Sequence, residues 1–77
     1  MAVKVRLFAS LRERFGFAER ELDAPGGITV RAAWDLATGG QPMPERVLSA
    51  LNGEYARADT PVKDGDEVAF FPPVTGG

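Results

Sequence analysis

The chain contains no cysteine and no histidine. Without cysteine there is neither a disulfide framework nor a thiol nucleophile. Without histidine the commonest general base and metal ligand is missing, and no metal site is expected. Positive charge is not in excess either: nine Lys and Arg face eleven Asp and Glu, for a formal net charge of −2. Arg12, Arg14 and Arg20 are answered by Glu13, Glu19 and Glu21, so no basic stripe forms and no nucleic-acid partner is expected. Long apolar runs are lacking. Met1 to Arg6 has none of the apolar core of a signal peptide, and no stretch could span a bilayer, so a cytoplasmic protein with no membrane partner is expected. Gly26-Gly27 and Gly39-Gly40 are not followed by the residues of a phosphate loop, and the chain is expected to bind no cofactor of its own. Whatever chemistry involves this protein must draw on groups that partners supply.

What is present is enough for one small core. Seventy-seven residues make a single domain over 1–77, and a chain of this size buries only about 60–65% of its unfolded surface. Residues 2–8 alternate, with Val3, Val5 and Leu7 on one face and Lys4, Arg6 and Phe8 on the other, which predicts a half-buried strand. Ser10-Leu11-Arg12-Glu13 has the spacing of a capping box and predicts a short helix ended by Gly16, with Leu11 and Phe15 facing inward. Residues 17–23 alternate again and predict a more exposed second strand, broken by Pro25-Gly26-Gly27. Thr29 is a good N-cap, followed by Val30, Ala33, Trp34 and Ala37 in the stripe of an amphipathic helix that makes Trp34 a core residue. Gly39 to Pro44 is a loop. Val47 to Leu51 and Glu54 to Arg57 predict a hairpin across Asn52-Gly53. Asp59 to Val62 and Asp64-Gly65 read as turns, and Glu67 to Phe71 as the last strand, with Val68 and Phe70 inward.

This order gives an α+β domain with one long and one short helix on a mixed sheet of about five strands. The first and last strands are the most apolar, which places them adjacent and parallel at the sheet centre. That is the ubiquitin-like β-grasp arrangement.

Three features bear on function. Asp64, Asp66 and Glu67 form the densest acidic cluster, but the spacing of a calcium loop is absent and Asp-Gly-Asp is common turn chemistry. Phe8 and Phe71 fall on the outer sheet face by strand parity, and Tyr55 could join them, so these aromatics are candidates for a protein interface. The third is the sequence Pro72-Pro73-Val74-Thr75-Gly76-Gly77. The prolines remove two N–H donors and predict a stiff, extended exit from the sheet, so 72–77 is expected to be an extended, flexible tail. Glycine has no Cβ, so Gly76 and Gly77 can enter a narrow slot with the terminal carboxylate unhindered. A carboxylate with a pKa near 3.5 is ionised and a poor electrophile, so acyl chemistry there needs activation by an ATP-using partner.

Across nearly its whole length the sequence resembles the MoaD family, the small, ubiquitin-like sulfur-carrier subunits of molybdopterin synthase. The resemblance lies in Leu7-Phe8-Ala9-Ser10-Leu11-Arg12-Glu13, in Leu51-Asn52-Gly53-Glu54-Tyr55, and most specifically in Asp64 through Gly77. Leu51 stands where the family usually has Val, and the loop around Gly39 to Pro44 is short. The resemblance implies that a MoeB-like adenylyltransferase uses ATP to adenylate the carboxylate of Gly77. A sulfurtransferase then converts it to a thiocarboxylate. The tail would enter the MoaE-like large subunit and donate sulfur to cyclic pyranopterin monophosphate, within a heterotetramer. Gly77 and Gly76 would be the working residues of a subunit whose catalytic side chains lie on the large subunit. Phe8, Tyr55, Phe71, Pro72, Pro73, Val74 and Thr75 would meet the partner. Two alternatives stay open: a sister carrier serving thiazole formation, tRNA thiolation or cysteine synthesis, and a ubiquitin-like binding module whose tail is never activated.

Overall fold

The computed structural model of this chain describes residues 2–23 and 27–73. Strand β1 (Val3–Leu7) buries Val3, Val5 and Leu7 and turns Lys4 and Arg6 outward, as the alternation predicts. Helix α1 (Ser10–Phe15) follows at once. Its capping box does not form. Ala9 occupies the N-cap position with φ 53° and ψ −130°, no side chain caps the helix, and Ser10 is its first helical residue. A capping serine has to stand one residue before the helix. Here the Phe8 N–H is held by the Phe70 carbonyl, so the chain reverses at Ala9 and Ser10 arrives one position late. Gly16 ends the helix as expected, at φ 83° with its N–H donated to the Arg12 carbonyl. Leu11 is buried, and the half-buried Phe15 meets Trp34 edge-to-face at 5.0 Å.

Strand β2 (Glu19–Leu22) is shorter than the alternation suggested and buries only Leu22. Strand β3 (Ile28–Thr29) runs directly into helix α2 (Val30–Thr38). The Thr29 hydroxyl accepts the Ala32 N–H at 3.1 Å, which satisfies one of the free donors of the first turn. Val30, Ala33, Trp34 and Ala37 are all buried, so the predicted stripe is the packing face. Trp34 is fully buried between Phe15 and Phe70, and its indole N–H reaches the Gln41 carbonyl at 2.8 Å. A large aromatic tolerates full burial when its one polar group is paired in this way.

Strands β4 (Leu48–Leu51) and β5 (Glu54–Ala56) form the expected hairpin. Asn52 and Gly53 have φ values of 51° and 87°, the pair of positive angles that a two-residue hairpin turn requires. One expectation fails here. Pro61 and Val62 are not a turn but strand β6 (Pro61–Val62), antiparallel to β3, with Val62 buried. A two-residue strand has no periodicity to read, and its partner lies more than thirty residues earlier. Pro61 fits at the start of such a strand because only there is its missing N–H harmless.

Strand β7 (Glu67–Phe71) completes the main sheet in the order β2-β1-β7-β4-β5. β1 and β7 are parallel, with Val5 opposite Val68 and Leu7 opposite Phe70, while every other pairing is antiparallel. The arrangement is the expected β-grasp, with α2 packed on one face of the mixed sheet and no helix among the described residues on the other.

Candidate functional site

Strand β7 is the element that carries the chain toward its C-terminus, and it is the central strand of the sheet. Val68 and Phe70 have no exposed surface and pack into the core. Burial of side chains of this size contributes roughly 1.5–3 kcal/mol each, so Phe71 leaves the sheet from a firmly anchored position. Pro72 and Pro73 come next, outside the strand and half-buried. Lacking N–H groups, they cannot extend the ladder to β4 or β1. Val74, Thr75, Gly76 and Gly77 lie outside the described residues.

Register determines what surrounds this exit. Phe71 is opposite Leu48, Ala69 is opposite Ala50, and Ala50 is opposite Tyr55. All five therefore share the outer face, away from α2. The Tyr55 and Phe71 rings lie 6.0 Å apart between centroids, so the structure brings these two predicted residues together. Tyr55 is 77% exposed although aromatic. Phe8 lies on the other flank of β7, tied to it through the Phe70 carbonyl, and its ring is covered by the Arg6 guanidinium at 5.1 Å. Among the described residues it makes no aromatic pair with Phe71. The end of the outer face where β7 finishes is thus apolar, with Phe71 beside Leu48 and Tyr55, and Phe8 meets it from the side.

Leu48, Ala50 and Ala69 were not singled out by sequence, yet they form the floor between the aromatics. A signal was available: the Asn52-Gly53 turn fixes Ala50 opposite Tyr55, so counting back in twos brings Leu48 to the same face.

Toward the start of β7 the same face changes character. Glu19 meets Lys4 at 3.7 Å and Arg6 at 3.9 Å, and Arg6 also meets Glu67 at 3.7 Å. These groups are half exposed, so each pair contributes at most about 1 kcal/mol. Their effect is to divide the sheet into a charged end and an apolar end, and the tail leaves from the apolar one.

The acidic cluster lies at the charged end and acts as turn chemistry. The Asp66 carboxylate accepts the Lys63 N–H at 3.0 Å and the Asn52 side-chain amide at 2.9 Å, while the Asn52 amide oxygen accepts the Glu67 N–H at 2.9 Å. The Lys63 N–H, then the Asn52 amide, and last the Lys63 charge hold the Asp66 carboxyl below its ordinary pKa. Among the described residues no three metal-ligating side chains gather. A cleft of about 800 Å³, whose lining includes Ile28, Leu51, Pro61, Val62, Lys63 and Asp66, also sits at this end, away from Phe71. No helix among the described residues is long and apolar enough to cross a membrane.

Known proteins match this chain over almost all of its length. The model of the ThiS family matches residues 5–77. The molybdopterin synthase sulfur carrier subunit of Escherichia coli K12 is 39% identical, over 97% of this chain and 99% of that protein. SAMP1 from Haloferax volcanii superposes with a TM-score of 0.83 at 30% identity, covering 100% of both chains. A chain in the complex of subunits 1 and 2 of molybdopterin-converting factor from Helicobacter pylori superposes at 0.66 with 26% identity, again over 100% of both chains.

Proposed function

The chain belongs to the ThiS family, and on that premise we propose that it is a sulfur carrier, the small subunit of a molybdopterin synthase. The observation that carries this reading is the end of β7. A central, core-anchored strand delivers Pro72-Pro73 and the glycine-ended tail from the edge of an apolar face on which Tyr55 and Phe71 are paired. The likeness to the E. coli carrier subunit and to a subunit of a two-subunit converting factor supports both the role and a large-subunit partner.

The working group is the carboxylate of Gly77. ATP from the activating partner joins it to AMP with release of pyrophosphate, which makes its carbonyl electrophilic. The terminal sulfur of a sulfurtransferase persulfide then attacks that carbonyl and AMP leaves; a second thiol cleaves the resulting acyl disulfide, so the thiocarboxylate is released and the donor is left as a disulfide. In the large subunit the thiocarboxylate sulfur displaces an oxygen substituent from the pterin precursor, and water hydrolyses the resulting thioester, which leaves the sulfur on the precursor and returns the tail to a carboxylate. This chain supplies reach, fit and the acyl carbon. It has neither the cysteine nor the histidine for the remaining steps.

Intact-mass measurement tests the reading. After incubation with the adenylyltransferase, ATP and a sulfur donor, the chain is expected to gain the mass difference between sulfur and oxygen, in its C-terminal fragment. No such gain overturns it. The likeness to SAMP1 from Haloferax volcanii, and the 37% identity of this chain to the small archaeal modifier protein 1 of that organism, support a second reading in which the same activated carboxylate is joined to an amine. Covalent adducts on other proteins, appearing without thiocarboxylate in the same incubation, would select it.

A further inference from the structure

Asn52 is the only asparagine in the chain, and Gly53 follows it. A side-chain amide that precedes glycine is chemically vulnerable, because a residue without Cβ leaves its own backbone nitrogen unhindered and the link to it mobile. Here the pair forms the turn of the β4–β5 hairpin, at φ 51° and 87°. Both residues are exposed, and nothing lies within 4 Å of where a Gly53 side chain would begin. The Asn52 side chain, however, is held. Its backbone N–H donates to the Glu67 carbonyl at 2.8 Å, its Oδ1 accepts the Glu67 N–H at 2.9 Å, and its Nδ2 donates to the Asp66 carboxylate at 2.9 Å.

Both polar atoms of the amide are thus engaged, and they draw the side chain across to the start of β7 and away from its own main chain. Closure of Asn52 onto the next peptide needs the opposite movement. Its Cγ has to swing to the Gly53 nitrogen, which breaks both side-chain bonds together. That swing also strands the Glu67 N–H and takes a donor from a carboxylate already fixed by the Lys63 N–H at 3.0 Å. Hydrogen bonds to an ionised group are among the stronger ones, so the clamp disfavours the reactive rotamer.

We propose that Asn52-Gly53 is a latent modification site, kept as an amide by this clamp and converted to aspartate or isoaspartate by water when the clamp opens. The Gly53 nitrogen loses its proton and bonds to Asn52 Cγ as the Cγ–Nδ2 bond breaks and ammonia leaves. Water then opens the five-membered ring at either carbonyl. No enzyme, oxidant or other reagent is needed, and loss of ammonia makes the change one-way. Aspartate at 52 sets a second carboxylate against Asp66, where like charges repel. Isoaspartate adds a methylene to the main chain of a turn whose length sets Ala50 opposite Tyr55. Either product loosens the junction between the β4–β5 hairpin and β7. The site stands independently of the sulfur-carrier reading.

The test follows the full chain during incubation at neutral pH, by mass and chromatography of the tryptic peptide from Val47 to Arg57, which holds the one asparagine. Conversion appears as the mass gained when a carboxyl replaces the amide, and isoaspartate as a second peak of that mass. The folded wild type is expected to convert at least about tenfold more slowly than the same chain unfolded in guanidinium chloride, the order that two hydrogen bonds impose. Asp66→Ala removes the Nδ2 partner and is expected to convert at least about threefold faster than the wild type while folded. Leu22→Val loosens the core from the opposite edge of the sheet, and its rate is expected to stay within about twofold of wild type. Asn52→Asp, the product itself, is expected to melt at a lower temperature than the wild type. Equal rates for the folded and unfolded wild type overturn the proposal, as does equal acceleration by Leu22→Val and Asp66→Ala. An Asn52→Asp chain that melts together with the wild type overturns the loosening.

Discussion

Asp66 joins two turns through one side chain. Its oxygens take the Lys63 N–H and the Asn52 amide, and Asn52 in turn holds the first residue of β7. Those bonds favour the ionised form, so the folded-state pKa lies below the ordinary value of 3.8. A carboxyl whose folded pKa is depressed adds stability above its unfolded pKa, and that stability is lost as pH falls through the folded value. Thermal melts of the wild type between pH about 5 and about 2 are therefore expected to fall along a slope that Asp66→Asn partly removes. Equal slopes for the two proteins would show that the hydrogen bonds favour neither protonation state. The residue types here were legible from the chain: Asp-Gly-Asp read as a turn, and it is one. That Asn52, fourteen residues away, closes the network was not, because nothing local records which turns meet in space.

Capping separates what local pattern can and cannot say about an element. Thr29 and Ser10 both looked like N-caps, and only Thr29 caps. Helix α2 begins where β3 ends, with an extended Thr29 at φ −100° and ψ 167°, the geometry a cap needs. Helix α1 begins after a reversal at Ala9 that the pairing of Phe8 with β7 imposes. Thr29→Ala is expected to cost about 1 kcal/mol in chemical denaturation, and Ser10→Ala to lie within about 0.5 kcal/mol of wild type. Matching losses would restore the capping box. The strand β6 belongs to the same lesson. Pro61 read as turn chemistry, and only the pairing of Val62 with Ile28 makes it a strand.

At the scale of the whole molecule, the described core and the proposed sulfur-bearing tip are separate in the sequence. Among the described residues, every member of the buried cluster lies between Val3 and Phe70, with Trp34 and Phe70 its largest fully buried members. Removal of Gly76 and Gly77 is accordingly expected to leave the melting temperature within about 2 °C of wild type, as a loss outside the core should, while abolishing sulfur transfer. A cooperative transition lost with the two glycines would contradict the separation. The split of the outer sheet face into charged and apolar halves is likewise a property of the assembled sheet. Lys4, Arg6, Glu19 and Glu67 come from three strands, and Leu48, Tyr55 and Phe71 from three, with β7 supplying both halves.

The sequence alone determined the alternating strands, the stripe that buries Trp34, the hairpin at Asn52-Gly53 and the parallel pairing of the first and last strands. The first three depend on periodicity or on a residue's own backbone preference, which are local and so written in order along the chain, and the fourth on the high apolar content of the two strands. It also marked the glycine-ended tail and the aromatics Tyr55 and Phe71. Only the tertiary structure decided that Leu48 completes their surface, that Phe8 turns to Arg6, and that Pro61–Val62 is a strand. Those facts depend on which strands lie side by side and in what register, and register is settled by packing the whole core at once.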